Sequence, residues 1–544
     1  MSLYTRLAWD GIRKNKRLYL PYLLTCVGMV TLYYMMSELC GSPLLDSMRG
    51  GTSSRLVLGL GTWVIAIFSA LFLFYTNSFL VRRRQREFGL YHVLGLGKRH
   101  IALLCAIETL LTAAIALATG LVIGIGLSFA VELGLRASIR AEVDFAFRVS
   151  GAVVAKTVLV YLAIFLLILL STLVKVGRGT AVSLLRSESC GEKPPRANVL
   201  VAVLGAVLLV VAYGMAVSIQ EPLQAMLLFF VAVILVILGT YLLFIAGSVA
   251  LCRALQKNKS YYYQSCHFVS VSSMTYRMKR NGAGLASICI LATMVLVMLS
   301  SSACLYFGAE DSLNVTYPHE FSLTVWARDA EALPKLEAVL DAAGAPYGVE
   351  IWHRGEVEQN GEEVIWSGQF DTGLSREQQL ALGGAIGEAL NDPDTTQGFS
   401  RSFRAEAADE FYGTYGSLFF IGIVLSVLFI CAAVLIIYYK QLCEGYEDQP
   451  RFAIMQKVGM TAPDIRRSVN SQLLTVFFLP LAGAALHMAF AFPMIRRVLL
   501  VFSLNNTALF VATALISLAV LSVVYTLVYR ATSNAYYRIV KSSV

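Results

Sequence analysis

Arg86-Glu87-Phe88-Gly89-Leu90-Tyr91-His92-Val93-Leu94-Gly95-Leu96 reappears later in the chain, altered but in register, as Arg451-Phe452-Ala453-Ile454-Met455-Gln456-Lys457-Val458-Gly459-Met460. Thirteen residues past Gly95 stands Glu108, and thirteen past Gly459 stands Gln472. One offset relates both pairs (459 − 95 = 364 and 472 − 108 = 364). Each copy follows a hydrophobic stretch through a basic or polar linker and leads into another such stretch. In that setting the repeat reads as two equivalent docking elements on one face of a membrane.

The composition around the repeat requires a bilayer. Hydrophobic residues make up 57% of the 544, charged residues 15%, and mean hydropathy is +0.66. A soluble chain of this size cannot hide that much apolar surface. About 20 apolar residues cross a bilayer core as a helix. Ten stretches qualify: roughly 18–39, 56–81, 101–133, 153–176, 198–218, 224–252, 283–307, 417–439, 473–495 and 507–529. The third exceeds what a bilayer needs. A β-barrel would show short alternating segments instead. With the N-terminus inside, the inner segments hold 29 Lys and Arg against 7 in the short outer loops, so both termini are expected in the cytoplasm. The first span follows Arg13-Lys14-Asn15-Lys16-Arg17 with no small-residue cleavage site behind it, and reads as a retained anchor.

Charge is split along the chain. Residues 308–416 carry 20 acidic and 6 basic residues, a balance of −14 within a total of +9. The positive remainder is topogenic and suits anionic headgroups, which makes nucleic acid a poor partner and membrane lipid a good one. The expected fold is an all-α polytopic membrane protein, about ten transmembrane helices in a 4+2+4 arrangement with a small α+β extracellular domain. Its parts are a first repeat (1–176, spans 1–4), a two-helix central insertion (177–255), an interfacial segment with span 7 (256–307), the acidic domain (308–416) and the remainder of the second repeat (417–544). An even number of spans separates the repeats, so they run parallel. Stretches before spans 1 and 7, the latter Met274 to Asn281, read as short helices in the inner headgroup layer or as plain basic flanks.

Within 308–416, Phe321 to Trp326 alternates as a strand, 330–343 reads as a helix, and Ser375 with Gln378 resembles a capping box. Trp326, Trp352 and Trp366 supply either that domain's core or a stacking surface. No cysteine lies there, and no C-x-x-C motif lies anywhere in the chain.

In the repeated segment the aligned apolar pairs are Phe88/Phe452, Leu90/Ile454, Tyr91/Met455 and Leu94/Val458. At 100° per residue they cover an arc of about 160°, an amphipathic helix. Gly95 and Gly459 end or turn it. Such a helix feeding a span is a lever if another protein grips it; alone, it is a surface connector. Ionisable residues in spans are the other candidates. Glu108, Glu132 and Lys156 lie near span ends, within reach of an interface. His487 lies midway along span 9, as a functional group or as a hydrogen-bonded packing residue. Pro480 and Pro493 bracket that span, where they kink helices. Gly120 and Gly124 read as helix packing. No nucleophile–base set, metal spacing or G-x-x-x-x-G-K-[ST] loop is present, so neither enzymatic catalysis nor ATP binding through that loop is expected of this chain.

Arg86 through Gly95 resembles the signature of FtsX-type ABC transporter permeases. Tyr438-Tyr439-Lys440-Gln441, Glu444-Gly445-Tyr446-Glu447-Asp448, Arg451 to Thr461, Gln472, Phe477-Phe478-Leu479-Pro480 and His487 are similar to the bacitracin-resistance (BceB-like) branch. Ten spans with a large outer domain between the seventh and eighth also match that branch, although this domain is about half the length usual there. The resemblance implies a cytoplasmic ABC ATPase partner, two copies per chain, that holds the ATP and Mg. It makes Arg86, Glu87, Phe88, Leu90, Tyr91, Leu94, Gly95, Arg451, Phe452, Ile454, Met455, Val458 and Gly459 the docking residues, with Glu108, Gln472 and His487 as membrane candidates. It further implies a bacterial plasma membrane location, a peptide or lipid-linked ligand such as a cell-wall-active antimicrobial peptide, and in some relatives a membrane histidine kinase partner. The alternative is a signalling or scaffold protein that regulates such a kinase or a cell-wall hydrolase without transport.

Overall fold

A computed structural model describes residues 3–46, 51–139, 149–178, 199–257, 259, 265–328, 330–360, 363–391, 396–457 and 462–541. Ten helices among them are long and apolar enough to cross a membrane: Leu18–Cys40, Gly51–Val81, Lys98–Leu135, Gly151–Gly177, Val199–Ser218, Pro222–Ala250, Gly282–Phe307, Arg404–Gln441, Phe477–Leu500 and Thr507–Asn534, numbered here as spans 1 to 10. The chain is a polytopic, predominantly helical membrane protein. Span 3 belongs to a helix of 42 residues, Lys98–Ile139, about 63 Å at 1.5 Å per residue, well beyond the hydrocarbon thickness.

The two repeats pack alike. Span 1 lies against spans 2, 3 and 4, and span 7 against spans 8, 9 and 10. Small residues permit the close approaches. A Cβ on Gly120 would sit 2.8 Å from Val30, and one on Gly124 2.9 Å from Tyr34, so span 3 meets span 1 along its glycine face. Thr31 adds a hydrogen bond to the Gly120 carbonyl (3.0 Å). The repeats meet through span 8, which packs on spans 2 and 3. Phe68 and Phe429 form an edge-on pair there (4.6 Å). Spans 5 and 6 are central in sequence but not in space. They pack on each other and on spans 7 and 9 of the second repeat.

Between spans 7 and 8 stands the α+β domain. Its strands are β1 (Phe321–Ala327), β2 (Gly355–Asn360), β3 (Glu363–Phe370) and β4 (Thr396–Phe403), in the antiparallel order β2-β3-β1-β4. Helices Leu333–Gly344 and Arg376–Ala389 join β1 to β2 and β3 to β4, the split β-α-β-β-α-β topology. The Ser375–Gln378 capping box is present. Phe321, Leu323, Val325, Leu336, Leu340, Leu382, Ile386 and Trp366 form the core. Of the three tryptophans, only Trp366 is fully buried. Trp352 stacks on it (6.0 Å), and Trp326, one residue out of phase on β1, is exposed. The alternation of β1 dictates that split, because successive side chains point to opposite faces.

Two connections differ from expectation. No loop separates span 8 from the second repeated segment; a single helix, Arg404–Lys457, runs 54 residues through both. The charged stretch after Lys440 stays helical because its polar residues are packed: Lys440, Gln441, Glu444 and Asp448 are all buried. Likewise no turn separates the segment before span 7 from the span itself, since Ser265–Phe307 is one helix. Gly282 lets it pack closely against span 6, where a Cβ would lie 2.6 Å from the Phe244 carbonyl oxygen. The expected short helix before span 1, by contrast, is separate: Leu3–Lys14 ends ahead of Lys16–Cys40 and packs on span 3. Pro480 and Pro493 both lie inside one helix, Ala462–Leu500.

Candidate docking face and its anchoring network

The first repeated segment is a short helix, Gln85–Val93, that breaks from the helix of span 2 at Arg84. It is closed by Gly95, whose φ of +95° lies in the left-handed region that favours glycine. The Leu96 amide donates to the Tyr91 carbonyl (3.0 Å) and the Gly95 amide to that of His92 (3.2 Å), the paired bonds of a Schellman cap. Leu96 and Tyr91 close its apolar side, both packing on a cluster of Val81, Phe88, Ile101, Cys105 and Val176.

That cluster divides the predicted apolar arc. Phe88 points inward and is 2% exposed, whereas Leu90 (53%), Val93 and Leu94 (71%) face out. The second copy repeats the division: Phe452 is 5% exposed and Ile454, the counterpart of Leu90, is 62% exposed. Phe88 and Phe452 therefore serve the fold, and the outward surface is carried by Leu90, Val93, Leu94 and Ile454. Tyr91 is intermediate, and burial raises its phenol's pKa. The side chains of Arg86, Arg451, Met455 and Gln472, and all of Val458 and Gly459, lie outside the described residues.

Behind the first helix lies a buried polar network. Arg84, 2% exposed, ion-pairs through Nη1 with the Glu108 carboxylate of span 3. The same nitrogen donates to the Tyr19 hydroxyl of span 1 (2.5 Å), and Nε donates to Glu87 (2.9 Å). Tyr19 donates to Glu108 (3.1 Å), and Asn15, at the junction of the N-terminal helix and span 1, donates to Glu87 (2.9 Å). The guanidinium also lies 5.0 Å from the centre of the Phe88 ring. Glu108 thus has a partner rather than reaching the interface. Arg84 escapes a reading of sequence because it stands in the run Arg82-Arg83-Arg84, where one buried arginine looks like two topogenic ones. A pointer was present: Arg84 is 24 residues before Glu108, as Asp448 is before Gln472.

His487 joins three spans. The Tyr213 hydroxyl of span 5 lies 2.6 Å from Nδ1, and Thr240 Oγ1 of span 6 lies 3.1 Å from Nε2. Thr240 donates its own proton to the Val236 carbonyl (2.6 Å), so it accepts from Nε2–H while Tyr213 donates to Nδ1. A neutral imidazole meets both bonds. Among the described residues no group of His, Cys, Asp and Glu is arranged to hold a metal ion.

At the opposite end, Arg404 opens the long helix directly after β4. It pairs with Glu310 (2.8 Å), and its amide donates to the Glu320 carbonyl (2.9 Å). Asn506, ahead of span 10, donates to Asp311 (2.8 Å), and Ser312 to the Phe502 carbonyl (2.5 Å). The acidic domain is thereby seated on spans 7, 8 and 10.

Residues 59–180, spans 2 to 4 with the first repeated segment, match the family model described as FtsX-like permease C-terminal. The ABC transporter permease protein YxdM of Bacillus subtilis (strain 168) is 23% identical, over 90% of this chain and 93% of its own. The chain resembles FtsX-like ABC transporter permeases. Two bacitracin export permease proteins BceB are also similar. That of Halalkalibacterium halodurans is 26% identical over 62% of this chain and 53% of its own; that of Bacillus subtilis is 21% identical over 88% and 92%. The FtsX-like resemblance and the ten apolar helices together support a multi-pass membrane protein with a permease role.

Proposed function

We propose that this chain is the permease subunit of an ABC transporter that exports or removes an amphiphilic ligand, such as a cell-wall-active antimicrobial peptide. Separate cytoplasmic ATPase subunits, two per chain, dock on the repeated segments and supply the ATP and Mg. The observation that carries this reading is the single helix Arg404–Lys457. At 1.5 Å per residue it extends about 81 Å, with β4 of the acidic domain at one end and the exposed Ile454 near the other. A push at the docking end is passed along a hydrogen-bonded rod. Exposed Leu90, Val93 and Leu94 form an apolar step at the equivalent place in the first repeat, the kind of patch a partner covers. The balance of −14 in 308–416 favours cationic ligands by long-range attraction, and two similar proteins carry bacitracin export in their names.

The test has two arms. Leu94→Glu and Ile454→Glu are introduced into the tagged chain, co-expressed with an ABC ATPase subunit from the same genome. Loss of the co-purified ATPase is expected, and retention at wild-type levels by the combined variant would refute the docking face. The wild-type complex is then placed in liposomes carrying fluorescent bacitracin, with no kinase present. ATP-dependent loss of bound peptide is expected; its absence counts against peptide transport.

A further inference from the structure

We propose that the Arg84–Glu108 ion pair is a positioning clamp that ties the first docking helix to the N-terminal helix and to spans 1 and 3. The proposal rests on the reading of Gln85–Val93 as an ATPase-docking helix. Arg84 occupies the break between that helix and span 2, where the backbone alone would leave a hinge. Its side chain reaches across the hinge to Glu108 on span 3 and Tyr19 on span 1. Glu87, one turn into the docking helix, is held by Arg84 from below and by Asn15 at the side (both 2.9 Å). The N-terminal helix lies over the pair at Gly11, where a Cβ would come within 3.0 Å of Glu108 Oε1 and 3.2 Å of Arg84 Nη2. Neither of those two atoms has a hydrogen-bond partner among the described residues. Glycine lets the helix close on them without pressing the pair aside.

A hinge clamped this way delivers load to spans 1 and 3 rather than to span 2, with which the docking helix is contiguous in sequence. The second copy is built otherwise. At the register of Arg84 and Glu108 it has Asp448 and Gln472, and Asp448 accepts from the Tyr536 hydroxyl of the last helix. There the docking element continues span 8 without a break. One push therefore enters the first repeat through a clamp and the second through a rod.

Buried pairs lend themselves to a clean test, because removing one partner strands a charge while replacing both by apolar groups does not. The full chain with its ATPase, in nanodiscs, is compared as wild type, Arg84→Met with Glu108→Leu, Glu108→Gln and Glu108→Asp, by hydrogen exchange with and without ATP and vanadate. For the double variant and Glu108→Gln, residues 85–96 are expected to exchange about tenfold faster or more, with spans 7 to 10 and 308–416 unchanged. The ATP-dependent change in spans 1 and 3 disappears, and Glu108→Asp restores both. If Glu108→Gln and the double variant keep 85–96 protected as in wild type, the clamp is refuted, whatever binds the helix. If 85–96 loosens but spans 1 and 3 still respond to ATP, the load path is refuted. If wild type itself retains no ATPase, the docking reading fails, and exchange at 85–96 alone decides the clamp.

Discussion

Phe88 and Leu94 stand six residues apart in one apolar arc, and the structure assigns them opposite duties. Phe88 fills a cluster under the helix Gln85–Val93, so Phe88→Ala should cost about 3–5 kcal/mol through the cavity it leaves. Leu94 contributes little to that cluster, and Leu94→Ala should stay within about 0.5 kcal/mol. Unfolding of the detergent-solubilised chain, followed by its intrinsic fluorescence, measures both; equal losses would contradict the inward and outward assignment. Gly95→Ala is a third case. Among the described residues nothing lies within 4 Å of a Cβ there, so its cost is the left-handed backbone, about 1 kcal/mol, and should appear as faster exchange at Leu94 to Leu96. At this scale the repeat itself, Gly95 as a stop and the capping box at Ser375 were legible in the sequence, since each rests on local chemistry. Which way Phe88 faces was not. Helical periodicity gives a direction only relative to the rest of the helix, and the neighbours that define the interior, Ile101 and Val176, come from other helices.

The elements show the same division between local and distant causes. All ten spans were legible, because a run of apolar residues long enough for a bilayer needs no partner to be recognised. The continuity of Arg404–Lys457 was not. A stretch with Lys440, Glu444, Asp448 and Pro450 looks like a polar loop until its polar groups are seen to be buried. Pro450 has no amide hydrogen to give the helical ladder. It stands two residues beyond Asp448, the register position at which the first copy breaks at Arg84. The second repeated segment therefore continues span 8 as one helix that lacks a single backbone hydrogen bond, near the register at which the first segment breaks. Pro450→Ala should restore that bond and slow exchange across 446–457, by as much as the ~3 kcal/mol that proline costs inside a helix. Unchanged exchange would mean that tertiary packing, not the ladder, holds the segment. Inside the acidic domain, the exposed Trp326 and the buried Trp366 make an internal control: Trp366→Ala should cost about 3–5 kcal/mol, while Trp326→Ala should leave the domain's unfolding within about 0.5 kcal/mol.

The two repeats share one buried core, joined through span 8, but they carry unequal additions. The first has the N-terminal helix against it. The second carries the acidic domain and spans 5 and 6. The 4+2+4 order of the chain hides this, because sequence position says only that spans 5 and 6 lie between the repeats, not which repeat they join. His487 is where the choice is enforced, a neutral ring accepting from span 5 and donating to span 6. Much of the remaining surface of that pair is apolar and exposed, among it Leu204, Val210, Leu227 and Phe230, and lipid competes for it on equal terms. Polar contacts and close glycine packing, as at Gly205 against Gly239, therefore carry more of the attachment than they would in water. His487→Leu removes both interhelical bonds at about 0.6 to 1.7 kcal/mol each and leaves the Tyr213 hydroxyl without its acceptor. Exchange across 199–250 should accelerate by roughly tenfold, with spans 1 to 4 unaffected. If spans 1 to 4 loosen as well, the central pair braces both repeats rather than the second alone; if 199–250 stays as protected as in wild type, His487 is a passenger in the interface rather than its fastening.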